Sequence, residues 1–170
     1  MVRVKDIISK PMTLSRLREL LPNDSKAVLY SSLQKDNRKR QDIFRGIKSL
    51  IVLYEGKIDG RKQGHFVCLI PRPHSIEYFS SLGRAPTDEM NAFHTDPTAF
   101  RNLLGKNYTY NRKKLQLDSY TVEDCGYWTL ARAILAKMKL VEFQKIFQPK
   151  SLRSSDEVLG NMMYLLANLL

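Results

Sequence analysis

The spacing of apolar positions changes period several times along this chain. Over residues 13–21 they recur at Leu14, Leu17 and Leu21, the spacing of one helical face, and Pro22 ends the helix. Residues 27–33 (AVLYSSL) read as a strand and residues 41–48 as a second short helix. Three apolar runs follow, at 50–54, 65–70 and 76–81, joined by turn-rich segments at 56–64 and 71–75. Their length and punctuation predict consecutive antiparallel strands. In the middle run a period of two sets His65, Val67 and Leu69 on one face and Phe66, Cys68 and Ile70 on the other.

After Gly83 the pattern becomes polar. A helix is predicted over 97–104 and an extended segment over 108–116. The clearest helix runs from Cys125 to Met138, with Tyr127, Leu130, Ala131, Ile134, Leu135 and Met138 on the buried face. A C-terminal helix opens with Ser154 and Glu157, spaced as a capping box, and turns Val158, Leu159, Met162, Met163, Leu166 and Leu170 inward. The expected architecture is one α+β domain over residues 1–170. In it a central mixed or antiparallel sheet is packed by helices, and Cys125 stands at the N-terminus of a central helix.

Composition narrows this picture. A chain of 170 residues can bury a substantial core. With 43% hydrophobic and 26% charged residues it has a globular balance. No apolar run reaches the roughly 18 residues of a membrane span. The start, MVRVKDIISKPM, lacks the apolar stretch of a secretory signal, so a soluble, intracellular chain without membrane contact is expected. Two cysteines, Cys68 and Cys125, with no CxxC, offer neither a disulfide framework nor a zinc site. Both are expected as free thiols, Cys68 as an inert core residue.

The net charge is +11, from 28 Lys+Arg against 17 Asp+Glu. Such an excess attracts polyanions, and DNA is a candidate partner. The densest basic piece holds Lys35, Arg38, Lys39 and Arg40, with a second cluster at Arg112, Lys113 and Lys114. A solvated loop accounts for the first piece equally well.

The candidate chemistry centres on Cys125, in Glu-Asp-Cys-Gly-Tyr-Trp just ahead of the predicted central helix. The positive end of a helix dipole favours thiolate, the reactive form. Gly126 permits a tight turn and the close approach of a substrate. Helix-start N–H groups without intrahelical partners can hold an oxyanion. Glu123 and Asp124 oppose the thiolate, and an ordinary buried cysteine is the alternative. His65, after Gly64 at a strand start, can act as base to such a thiol. His74 lies in a turn and His94 in the polar stretch, without evident partners. Gln116, nine residues before Cys125, can offer its amide to an oxyanion.

The order Gly-His-aromatic, a strand ending in a small-residue turn, Leu-Gln, then Cys-Gly-Tyr-Trp resembles the adenovirus-type processing proteases. Related enzymes occur in virophages and polinton-type elements, and the SUMO-specific proteases share the plan distantly. The similar stretches are 26–33 (KAVLYSSL), 50–56 (LIVLYEG), 64–83 (GHFVCLIPRPHSIEYFSSLG) and 115–132 (LQLDSYTVEDCGYWTLAR). The resemblance implies a cysteine-type peptidase with Cys125 as nucleophile, His65 as base and Gln116 as oxyanion donor. It implies no cofactor and no metal.

The chain departs from that pattern. Phe66 stands where the family has tryptophan, and an aromatic shelf survives. Ser80 stands where the family has its acid. A serine can accept a hydrogen bond from an imidazole but cannot support imidazolium as a carboxylate does. A Cys–His dyad or a Cys–His–Ser arrangement is therefore expected over a role for Glu77, which lies on the opposite strand face unless a bulge intervenes. Gln116 is also farther from the cysteine than the family pattern has it.

The resemblance further implies cleavage of viral capsid precursors after a small residue such as glycine, by a monomer acting in the virion and the host-cell cytoplasm. An isopeptidase removing ubiquitin-like modifiers would use the same residues. The +11 charge and the missing acid also fit a non-catalytic, DNA-binding capsid-associated protein.

Overall fold

A computed structural model describes residues 11–58, 60–116, 124–147 and 152–167 of the chain. In chain order the elements are α1 (Leu14–Leu20), β1 (Ser25–Leu29), α2 (Tyr30–Gln34), α3 (Arg40–Ile43), β2 (Ser49–Ile58) and β3 (Arg61–Pro71). There follow β4 (Ile76–Phe79), α4 (Pro86–Ala92), α5 (Thr98–Leu104), β5 (Tyr108–Tyr110), α6 (Cys125–Ile134), α7 (Leu140–Ile146) and α8 (Leu152–Ala167).

The strands form one five-stranded sheet in the order β1-β2-β3-β4-β5. The inner pairs β2–β3 and β3–β4 are antiparallel, as the three apolar runs predict, while β1–β2 and β4–β5 are parallel. The sheet is therefore mixed. Its central strands are buried on both faces, which explains why residues 66–70 (FVCLI) are apolar throughout.

The alternation along β3 sorts two cores. Phe66, Cys68 and Ile70 join Ile51 and Phe79 under Leu17 of α1, Trp128 and Ala131 of α6, Phe143 of α7 and Leu159 of α8. Val67 and Leu69 join Val52, Tyr54 and Tyr78 under Leu33 of α2, Met90 of α4 and Phe100 of α5. Helices thus cover both faces of the sheet.

Several boundaries differ from the sequence reading. The strand expected over 27–33 ends at Leu29, and Tyr30 to Gln34 coil into α2, which buries Tyr30 and Leu33 against the second core. The helix expected over 41–48 is the single turn of α3. The extended segment over 108–116 is a strand only at Tyr108–Tyr110. The polar stretch after Gly83 holds α4, whose Pro86 at the first turn and Asp88 and Glu89 beside it suit a helix start. The central helix stops at Ile134, and α7 is a separate helix. The last helix begins at Leu152, so Ser154 lies within it and not at its start.

The C-terminal end of α6 is fastened to the sheet through Glu77. Arg132 Nε donates to its Oε1 at 2.7 Å, and Arg72 Nη2 donates to its Oε2 at 2.7 Å. The two guanidinium groups also donate to the carbonyls of Leu135, Ala136 and Met138, which follow the helix. Arg132 and Glu77 are buried, so each charge depends on the other for compensation. Glu77 therefore ties strand to helix, on the face of the sheet away from the imidazole of His65.

Candidate active site

The β3–β4 ladder starts at Cys68↔Phe79 and runs to Pro71↔Ile76. At His65, β3 has therefore outrun β4. Ser80, the first residue past β4, falls beside the imidazole, with Oγ 3.1 Å from His65 Nε2. Its backbone is held in place by Asn111, which continues the β4–β5 pairing through its side chain. Asn111 Oδ1 accepts from Ser80 N–H at 2.9 Å, and Asn111 Nδ2 donates to the Ser80 carbonyl at 2.5 Å. The turn closes with Gly83 N–H on the Ser80 carbonyl. Gly83 has φ +68°, and a Cβ there would stand 2.6 Å from the backbone of Lys113 and Lys114. Only glycine fits this corner.

The carboxylate at the imidazole is Glu89 of α4. Its Oε1 lies 3.0 Å from His65 Nε2, and its side chain is fully buried. The same oxygen accepts from the hydroxyls of Tyr54 and Tyr78. Ser80 Oγ accepts from Leu82 N–H, leaving its proton for Glu89, to which it also hydrogen-bonds. A carboxylate only accepts, so Nε2 carries the imidazole proton. That leaves Nδ1 as the nitrogen for the Cys125 side chain, to which the imidazole also hydrogen-bonds.

Electrostatics follow from these contacts. Burial pulls the imidazole toward neutrality, but the charges of Glu89 and Cys125 and their hydrogen bonds outweigh it and push His65 up to about 10. Burial pushes the Glu89 carboxyl up, yet the charge on His65 and the donors from His65, Ser80 and Tyr54 hold it below the usual glutamate value. An imidazolium–carboxylate pair is thus the stable state at neutral pH.

Cys125 opens α6, with Asp124 as N-cap residue. Asp124 is fully buried, and its carboxyl oxygens have no hydrogen-bond donor. Burial, then the charge and hydrogen bond of Asp156 on α8, then the charge of Cys125 push it up to about 9. The opposing charge expected from Asp124 is therefore neutralised by protonation at neutral pH. Asp156 in turn accepts from Trp128 Nε1 at 3.2 Å. Glu123 lies outside the described residues. Gly126 makes its close approach to the protein's own chain: a Cβ there would stand 2.4 Å from Met12 Cβ and 3.3 Å from Phe66.

Gln116 is buried and held one residue beyond Ser80. Its Oε1 accepts from Ser81 Oγ at 2.6 Å, and the Leu115 and Gln116 N–H groups donate to the Ser81 carbonyl. Cys68 is fully buried, and burial pushes its thiol up to about 12. Among the basic residues, Arg38 pairs with Asp36 and Arg40 donates to the Leu104 carbonyl. Arg112 lies over the Tyr110 ring. Lys35 and Lys39 flank α2 and α3 as cap residues. Among the described residues no group of three or more His, Cys, Asp or Glu is placed to hold a metal ion. Nor is any helix among them long and apolar enough to cross a membrane.

Sequence reasoning placed the third member of this constellation at Ser80, with Glu77 as its rival. Ser80 does touch the imidazole, Glu77 belongs to the Arg72–Arg132 cluster, and Glu89 was missed. A signal for it existed. Pro86 with acidic residues behind it marks a helix start, and the spacing of Glu89, Met90 and Phe93 marks its buried face.

Fold and site together define an α+β protein with a thiol, an imidazole and a carboxylate gathered at the end of a mixed sheet. No family model matches the chain. The chain is similar to a virophage protein, Uncharacterized protein V9 of Sputnik virophage, at 28% identity over 142 aligned residues, covering 75% of this chain and 77% of that one. Among solved structures, the central domain of the uncharacterized Lpg1148 protein from Legionella pneumophila aligns with 94% of this chain and 93% of its own. The TM-score is 0.44 and the identity 16%.

Proposed function

We propose that this chain is a cysteine-type peptidase with Cys125 as nucleophile, His65 as base and acid, and Glu89 as the carboxylate that orients and supports the imidazole. The observation that carries the reading is the 3.0 Å contact between Glu89 Oε1 and His65 Nε2, on a ring that the Cys125 side chain also engages. In the proposed reaction the Cys125 proton resides on His65 as imidazolium, and the thiolate attacks a peptide carbonyl. The N–H groups at the start of α6, with the Gln116 amide, receive the oxyanion. His65 then protonates the departing amine, and water hydrolyses the thioester.

The substrate reading rests on the resemblance to adenovirus-type processing proteases and on the similarity to a virophage protein. The resemblance implies capsid precursors, cleaved after a small residue such as glycine during virion maturation, and the virophage relative supports a viral setting, with the enzyme in the virion and the viral factory.

The test is labelling by a peptidyl vinyl sulfone and, in parallel on unlabelled protein, incubation with capsid precursors and ubiquitin-like fusions side by side. Modification of Cys125 but not Cys68, abolished by His65→Ala, is the expected result. Cleavage of the precursors alone fits capsid processing, and cleavage of the fusions alone reassigns the enzyme as an isopeptidase. Equal labelling of Cys125 in the wild type and H65A would overturn the peptidase reading.

A further inference from the structure

Tyr54 and Tyr78 reach Glu89 from two different strands. Tyr54 lies on β2 directly across from His65 in the antiparallel register, and Tyr78 lies on β4 across from Leu69. Both rings are fully buried between aliphatic and aromatic neighbours. Packing alone would be met equally well by phenylalanine, so the hydroxyls require a separate account. Both converge on one atom, Glu89 Oε1, which is also the atom facing His65 Nε2. Glu89 Oε2 is buried and has no partner. The carboxylate is therefore oriented through a single oxygen, and its rotation is set by the donors gathered there.

We infer that Tyr54 is a positioning residue for the candidate site, its phenol holding the Glu89 carboxylate in the orientation and ionised state that His65 requires, with Tyr78 as a weaker second donor. This rests on the proposed peptidase reading for its consequence in activity, though not for its effect on His65 itself. The groups facing Glu89 are Tyr54 from β2, His65 from β3, Tyr78 from β4, and Ser80 just beyond β4, with Cys125 of α6 behind the imidazole.

The physical reason lies in desolvation. A buried carboxylate keeps its charge only if donors and a cation replace water. His65 supplies the cation. At 3.4 Å the Tyr78 hydroxyl is a long contact, while that of Tyr54 is much closer. Without the Tyr54 hydroxyl the carboxylate loses its nearest neutral donor. It can then turn Oε2 toward the ring or take up a proton, and either change removes support from imidazolium.

The experiment follows the His65 imidazole by NMR titration, and Cys125 alkylation by iodoacetamide, in the wild type, Y54F, Y78F and E89Q, with H65A as the alkylation control. Tyr54→Phe keeps the ring, so the core is retained. The expected result is that His65 titrates about one unit lower in Y54F, less so in Y78F and lowest in E89Q. The alkylation profile of Cys125 should shift in the same order. A His65 titration unmoved in Y54F and Y78F, while E89Q moves it, overturns the inference. If Y54F lowers the His65 titration but alkylation of Cys125 is unchanged by H65A, the positioning role stands and the peptidase reading falls.

Discussion

Glu89 and His65 meet across the second core, α4 laying its carboxylate on the ring that β3 presents at the end of β4. Neither residue is close to the other in sequence. Ser80, which occupies the chain position where a strand-borne acid was expected, bridges them by a hydroxyl.

Three substitutions separate the roles of the residues around the ring. Glu89→Gln keeps an acceptor but removes the charge, and kcat on a peptide substrate should fall about 10- to 100-fold with little change in KM. Ser80→Ala removes one hydroxyl and should cost less than tenfold, because the carboxylate remains. Glu77→Gln should leave the pH profile of activity unmoved. It should instead lower stability by about 3–5 kcal/mol, read as a fall in the urea midpoint, since it strands the buried Arg132.

The same pair sets a pH dependence of stability. His65 is raised from 6.5 to about 10, so its contribution is complete below about 6.5 and is lost as pH rises through about 10. Glu89 is lowered from 4.5, so its contribution is present above 4.5 and is lost as pH falls below it. The stability difference between the wild type and E89Q should be widest between about 4.5 and 6.5, and should narrow as pH falls below the first or rises from the second toward 10. Urea unfolding of both proteins across that range checks this.

Asp124 works in the opposite sense. Its carboxyl is raised from 3.8 to about 9, so the folded state holds a proton that the unfolded state has released. Stability should therefore decline as pH rises between those values. Asp124→Asn removes the titration and supplies amide donors to Asp156. It should raise stability by about 1 kcal/mol at pH 8 and flatten the slope, with no difference from the wild type below pH 3. Thermal unfolding at the two pH values is the measurement.

Met12 and Gly126 should be coupled. Gly126→Ala improves helix propensity but drives a methyl into Met12 Cβ, where only 2.4 Å is available. The expected net loss is about 1–3 kcal/mol. Met12→Ala leaves that atom in place but removes Cγ, which lies 2.7 Å from the new methyl and restrains how far the backbone can shift. The double variant should recover part of the loss, and a double-mutant cycle in urea measures the coupling.

The sequence by itself determined what depends on neighbours along the chain. The period of two across residues 65–70 assigned Phe66, Cys68 and Ile70 to one core and Val67 and Leu69 to the other. The apolar spacing after Cys125 marked α6, although not the break at Ile134 that separates it from α7. A cysteine before a helix and a histidine at a strand start were legible as chemistry because each carries its local context with it. Tertiary structure alone decided which carboxylate serves the imidazole. Glu77 sits closer to Ser80 in the chain, but the strand's alternation turns it toward Arg132, whereas Glu89 reaches His65 through the packing of α4 across the sheet. It also decided that β1 and β4 find parallel partners, since pairing direction follows the path of the connecting segments. A side chain's local setting is written in its neighbours, but its distant partner depends on how whole elements close over a shared core.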